Sequence, residues 1–204
     1  QEQLAHVMFP LGGMRKTEVR ALAEKCGFVN AAKPDSQDIC FVPDGDYAGV
    51  IEKHTGRRPM CGNFVDSSGS VLGQHKGVIH YTIGQRRGLG ISAPSPLYVC
   101  DICPRTNEVV LGSNDELFRR EADAADFNWI SGSAPAHELR CKAKIRYRHP
   151  EQWATVMPVG SDAVHIVFDE PQRAITPGQA AVLYDGDTVL GGGVIQRAAH
   201  GKDL

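Results

Sequence analysis

From Gly62 onward, clusters of turn-forming residues recur about every 8 to 12 positions, the spacing expected of short strands in a sandwich or barrel. The clusters are DSSGS, PRTNE, PVGSD and YDGDT, the last reading as a two-residue hairpin at Asp185–Gly186. Between two such groups lies NDELFRREADAADF, whose charge marks it as a separator, so a boundary is expected near residue 113. Nothing in the chain repeats internally and no segment is of low complexity.

Before Gly62 the period changes. In RKTEVRALAEKCGF, Val19, Leu22, Ala23 and Cys26 follow the i, i+3, i+4, i+7 spacing of one helix face, and Gly27 sits where a left-handed cap would stop it. Cys26 then reads as a core residue. A second short helix is expected in DGDYAGVIEKHTG, with Asp44 or Asp46 as N-cap and Tyr47, Val50 and Ile51 facing inward. The fold class expected is therefore mainly β with a short α-helical N-terminal segment, its two small β-rich domains following the helices.

Composition matters for the choice of partner. Of 204 residues 42% are hydrophobic, enough for one large core or two small ones, and 22 Lys and Arg against 24 Asp and Glu give a net charge of -2. A polyanionic partner would therefore need a local basic patch. No apolar run approaches the roughly 20 residues that cross a bilayer, and no secretory leader opens the chain, so no membrane partner and a cytoplasmic location are expected. The six cysteines, Cys26, Cys40, Cys61, Cys100, Cys103 and Cys141, would be reduced there, any disulfide being transient. A first residue Gln1 in place of Met suggests a fragment.

A basic patch is present. In LRCKAKIRYRH, Arg140, Lys142, Lys144, Arg146 and Arg148 all hold even positions, so a strand would carry them on one face while Cys141, Ala143 and Ile145 point to a core. Either a polyanion neutralises this stripe or acidic neighbours across the strands do. In HYTIGQRRGLGI, Arg86 and Arg87 lie between Gly84 and Gly88, a tight loop that could offer guanidinium and backbone N–H groups to phosphate or could be an ordinary exposed turn.

Other candidates carry less. CDIC, Cys100 to Cys103, is half of a zinc knuckle without its second half, and on a regular strand its two thiols face opposite sides, so no metal is expected. LGGGVI lies inside strand pattern, where its glycines would mark close backbone approach at barrel closure rather than a nucleotide loop. His75 and His80 read as structural or surface residues.

Taken in order, FPLGGM, KPDSQDICFV, GSVLGQHKGVIHYTIGQRRGLG, KIRYR, FDEPQRAITPGQAAVLYDGD and VLGGGVI resemble the bacterial tRNA-specific 2-thiouridylases over nearly the whole chain. The resemblance implies an enzyme that adenylates C2 of the anticodon wobble uridine with ATP and replaces its oxygen with sulfur from a cysteine persulfide, AMP leaving. It implies tRNA and a sulfur-relay protein or cysteine desulfurase as partners, and a C-terminal β-barrel resembling those of translation factors. It divides the chain at 1–43, the tail of an ATP-pyrophosphatase domain, 44–112, a central β-rich tRNA-binding domain, and 113–204, the barrel. The family's SGGVDSS loop for ATP lies upstream of the residues that match here, so the ATP site is expected outside this chain, which alone would be inactive. Residue by residue, the resemblance makes Cys40 the persulfide carrier and places Arg146, Tyr147 and Gln179 against tRNA. With Lys144, Arg148, Arg86 and Arg87 they form the expected tRNA-binding set. Arg146 and Tyr147 face opposite sides of a regular strand, so both reach RNA only at a strand end or edge. Where the family has a helix-capping Thr, this chain has Arg15, so that helix must fray or find another cap.

Taken without the resemblance, Cys40 divides two readings. It stands where the polar run Lys33 to Asp38 meets Ile39, Phe41 and Val42, so it fits a core on one side and a loop on the other, and the residues alone favour the core. Asp35 and Asp38 oppose its ionisation and Lys33 favours it, so no strong activation is expected from the neighbouring sequence. The rival functions are an RNA-binding module without chemistry, and a tRNA methyltransferase, for which no glycine-rich strand-to-helix turn offers a methyl-donor site.

Overall fold

The computed structural model describes residues 2–34, 42, 46–56 and 58–196. The chain divides into a unit of residues 1–57 and a unit of residues 58–204.

The described residues of the first unit include two α-helices. Helix α1, Lys16–Lys25, starts at Arg15, whose side chain cannot accept a hydrogen bond; its backbone N–H instead donates to Glu18 Oε2 at 2.6 Å. Gly27 takes φ 73° just beyond the helix, as a left-handed stop requires. Helix α2, Tyr47–Thr55, is capped by Asp46, which accepts from the Gly49 N–H at 3.0 Å, and ends at a left-handed Gly56. The buried faces expected for both helices are corrected: α1 buries no residue and Cys26 is exposed, while α2 buries Ala48 and leaves Tyr47 and Ile51 exposed. Periodicity marks a face able to pack, but two short helices supply no layer for it to pack on.

The described residues of the second unit fold mainly as strands, with two short 3-10 turns, and form two cores. Its first sheet runs β2–β1–β4–β3, with β1 at Gly62–Val65, β2 at Val71–His75, β3 at Tyr98–Cys103 and β4 at Glu108–Gly112. β1 pairs parallel with β4 and the other neighbours are antiparallel. Phe64, Tyr81, Leu89, Val99, Val109 and Leu111 form its core. In β3 a register shift between Val99 and Asp101 breaks the alternation, so Val99 and Ile102, three apart, both pack on this core. The parity expected for the CDIC thiols does not apply across that bulge.

A closed six-stranded barrel follows, in the order β10–β5–β8–β7–β6–β9. Its strands are β5 at Phe118–Trp129, β6 at Leu139–Lys144, β7 at Gln152–Val159, β8 at Ala163–Arg173, β9 at Ala180–Asp185 and β10 at Thr188–Ile195. The charged stretch expected to separate two β groups is mostly strand β5, the longest of the barrel. Its alternation is disguised because Asp126, at φ 50°, sits between buried Ala122 and Ala124 on one parity and buried Phe127 and Trp129 on the other. The glycines of LGGGVI lie in β10, between β5 and β9, where the barrel closes. A Cβ on Gly191 would lie 2.7 Å from the Asn128 carbonyl oxygen, which explains their small size. The β9–β10 hairpin turns one residue later than expected: Asp185 stays in the ladder opposite Thr188, and Gly186, at φ 56°, opens the turn.

Candidate nucleic-acid interface

The topology brings two loops to one end of the barrel, and a loop of the first sheet approaches the β8–β9 crossing. β6 and β8 run in the same direction, both antiparallel to β7, so Lys144 and Arg173 close their strands at the same end. From Arg173 the chain crosses that end to start β9 beside β6, with Lys144 opposite Val182 and Lys142 opposite Tyr184. The ladder ends at Lys144 and Val182, so Arg146 and Tyr147 lie just past the end of β6 and Gln179 just before the start of β9. Gln179 is exposed there, its N–H bonded to the Thr176 carbonyl and its own carbonyl holding the Ile195 N–H at 2.8 Å.

The third loop comes from the first sheet. Gly84 donates to the Val99 carbonyl at 2.7 Å and Gln85 accepts from the Val99 N–H, while the Gln85 side chain accepts from the Thr82 N–H and donates to the Arg87 carbonyl. This framework leaves the Arg86 and Arg87 side chains exposed. Arg173 ties the loop's sheet to the barrel: its Nε donates to Asn114 Oδ1 at 3.1 Å and its guanidinium lies 5.5 Å from the Tyr98 ring centre. Ile83 of the loop, with Ile175 and Pro177 of the β8–β9 crossing, lines a cavity of about 100 Å³ between them.

The basic stripe divides into two parts. Cys141, Ala143 and Ile145 are buried, as alternation requires, so the even-numbered cations project from the barrel. Arg140 forms a two-pronged ion pair with Asp169, one prong at 2.7 Å, and Lys142 lies 3.7 Å from Glu151. For these two the acidic neighbours across the strands are present. Lys144, Arg146 and Arg148 form no ion pair among the described residues, and they mark where β6 gives way to a turn. Tyr147 is 89% exposed in that turn. Arg146 and Tyr147 thus stand just past a strand end, where the two-residue alternation no longer sets them on opposite faces. Burial, then the Arg146 and Lys144 charges, hold the adjacent His149 imidazole below the ordinary histidine value, so it adds no positive charge at neutral pH.

One exposed aromatic escaped the sequence reading. Trp153, on β7 directly opposite Lys142, projects outward and is 51% exposed. The Arg140 guanidinium lies 5.2 Å and the Lys142 ammonium 5.7 Å from its ring centre. The signal that could have found it is the parity of β7, where Ala154 and Val156 point inward and Trp153 outward.

Cys40 lies outside the described residues. The five described cysteines are free, and burial pushes the Cys100 and Cys141 thiols up to about 11, which makes both poor nucleophiles. No group of three or more His, Cys, Asp or Glu among the described residues could hold a metal ion, and no described helix is long and apolar enough to cross a membrane. Nor do the described residues fit ATP, since neither helix of the first unit is preceded by a strand and a glycine-rich turn.

Comparison with known proteins bears on this surface. Residues 1–44 match the family described as tRNA methyl transferase HUP domain, residues 48–113 the tRNA methyl transferase PRC-barrel domain, and residues 119–195 the aminomethyltransferase beta-barrel domain. The chain is 52% identical to the tRNA-specific 2-thiouridylase MnmA of Symbiobacterium thermophilum over 98% of its own length and 51% of that protein's. It is 50% identical to the protein of that name from Clostridioides difficile and to that from Acetivibrio thermocellus, over 97% and 96% of its length and 55% of each of theirs. The chain thus spans about half the length of the curated relatives it matches. The domain descriptions mention methyl transfer, whereas half-identity along almost the whole chain joins it to thiouridylases.

Proposed function

Because the chain belongs to the tRNA-specific 2-thiouridylase family, of whose members it spans about half the length, we propose that it is the part of such an enzyme that grips tRNA and carries the sulfur-bearing cysteine. The observation that carries this reading is the 52% identity sustained over 200 residues, which leaves no segment of the chain free for an unrelated role. In this account residues 1–43 complete an ATP-using domain, 44–112 form the central tRNA-binding domain and 113–204 form the barrel. ATP is bound by residues outside this chain, where C2 of the wobble uridine is activated, and sulfur arrives on Cys40 from a relay protein or cysteine desulfurase in the cytoplasm. The chain alone neither cleaves ATP nor thiolates tRNA.

The tRNA contact is assigned to Lys144, Arg146, Tyr147 and Arg148 after β6, Gln179 before β9, and Arg86 and Arg87 in the sheet loop. Lys144, Arg146 and Arg148, without ion pairs among the described residues, the exposed Tyr147 in their turn, and the exposed Arg86 and Arg87 of the sheet loop support the assignment, since phosphate neutralisation offsets the repulsion among like charges. Replacing both Arg146 and Arg148 with Ala should weaken tRNA binding in a titration at low salt and reduce the log-log salt slope by about 1.4 to 1.8. A double variant that binds tRNA as tightly as the parent would reduce the stripe to a solvated surface.

A further inference from the structure

We propose that the outer face of the barrel around Trp153 is a second RNA contact, a platform on which an unpaired ribonucleotide stacks while its phosphate is held by Lys142 and Lys144. The proposal rests on the tRNA-binding reading above and adds to it a surface and a mode of recognition.

Register sets the platform. Lys142 of β6 is paired with Trp153 of β7 on one side and with Tyr184 of β9 on the other, so an aromatic, a cation and an aromatic stand in one row across three adjacent strands. All three project outward, because their neighbours Cys141, Ala143, Ala154 and Leu183 fill the core. Trp153 is half exposed, with the Arg140 and Lys142 cations against its ring. Aromatic rings interleaved with cations are what a flexible single strand requires: each base offers a π face to the ring and each phosphate a charge to the ammonium. Asp169 and Glu151 hold Arg140 and Lys142 near the ring, and neither acid pairs with Lys144. The charge excess therefore grows along β6 from Lys142 through Lys144 to Arg146 and Arg148. That gradient joins the platform to the barrel-end loops and favours a polyanion over an acidic or apolar protein segment. A paired helix would hide its bases from Trp153, so the ligand is an unpaired stretch of RNA.

The chain has two tryptophans, and Trp129 is buried against Phe127, with ring centres 4.7 Å apart, so the exposed one can be observed separately. Titrating an unstructured oligoribonucleotide into the 204-residue chain should quench its tryptophan emission, whereas a matched RNA duplex should leave it unchanged. The quench should vanish in Trp153→Phe. Affinity for labelled tRNA should fall about fivefold or more in Trp153→Ala, the effect of losing one stacked base, and recover substantially in Trp153→Phe. Thermal melts of both variants should match the parent, since the ring is outside the core. If Trp153→Ala binds tRNA like the parent while Arg146→Ala with Arg148→Ala weakens binding, the platform is wrong and the tRNA reading stands. Equal quenching by the duplex also overturns the platform. A parent chain that binds no RNA at all overturns both.

Discussion

At the scale of single residues, His75 shows how burial fixes a protonation state. Its Nδ1 accepts the Gly77 N–H at 3.0 Å and its Nε2 lies 3.1 Å from the Asn107 carbonyl, so the neutral ring carries its proton on Nε2. Phe64 and Tyr81 meet it edge-on, 5.4 and 5.5 Å away between ring centres. Desolvation lowers its pKa from the ordinary 6.5, against the weaker opposing effect of the Asn107 carbonyl. A histidine with a lowered folded value binds protons more readily when unfolded, so stability is complete above 6.5 and declines as pH falls below it. The melting midpoint should therefore fall between pH 7 and pH 5, less steeply in His75→Gln, and an NMR titration should place His75 below 6.5; titration at or above that value would contradict the account. The cysteines differ by burial in the same way. Alkylation of the native chain at pH 8 should modify exposed Cys26 and Cys61 well before Cys100 and Cys141, whose thiols sit near 11, and equal rates at Cys141 would contradict its place in the core. Sequence alone assigned half of this contrast: strand alternation places Cys141 in a core, whereas Cys26 has the spacing of a core residue and is exposed.

At the scale of elements, alternation was the legible signal and its interruptions were not. The inward positions of β6 could be read from Cys141, Ala143 and Ile145, but the strand stops at Lys144 while its alternation continues, so the turn that presents Arg146, Tyr147 and Arg148 could not. In β5 a single left-handed residue, Asp126, moves the buried set from even to odd positions, and a strand with eight of its 12 residues charged or alanine then looks like a linker. Barrel closure was legible, because three consecutive glycines in strand pattern have few other uses. A Cβ on Gly193 would lie 2.7 Å from the Ala125 carbonyl oxygen and 2.8 Å from Phe127 Cδ2, with backbone on one side unable to yield. Gly193→Ala should therefore destabilise the barrel by about 1 to 3 kcal/mol in a denaturant melt, as overpacking does. Gly13→Ala, with open space around its Cβ, should cost far less, and equal effects would show that β10 is not tightly closed.

At the scale of the whole molecule, the two units differ in what they bury. The second has two cores of its own, one under the four-stranded sheet and one inside the barrel, whereas Val42 and Ala48 are the buried hydrophobics among the described residues of the first. Residues 58–204 should consequently fold as an independent β unit with a cooperative melt, and a non-cooperative one would contradict the separate cores. The helix-to-strand order and the two β groups were legible because periodicity and turn spacing survive in one dimension. The approach of the turn after β6 to the loop before β9 was not, since it depends on which strands become neighbours. What joins all of these parts into one function is Cys40, the residue the proposal makes a reagent. The most direct measurement assays 2-thiouridine in tRNA with Cys40→Ser placed in the whole enzyme, alongside adenylation and a thermal melt of the same protein. The account predicts that thiolation is lost while adenylation and the melting midpoint are retained. Full thiolation by the serine variant would contradict it.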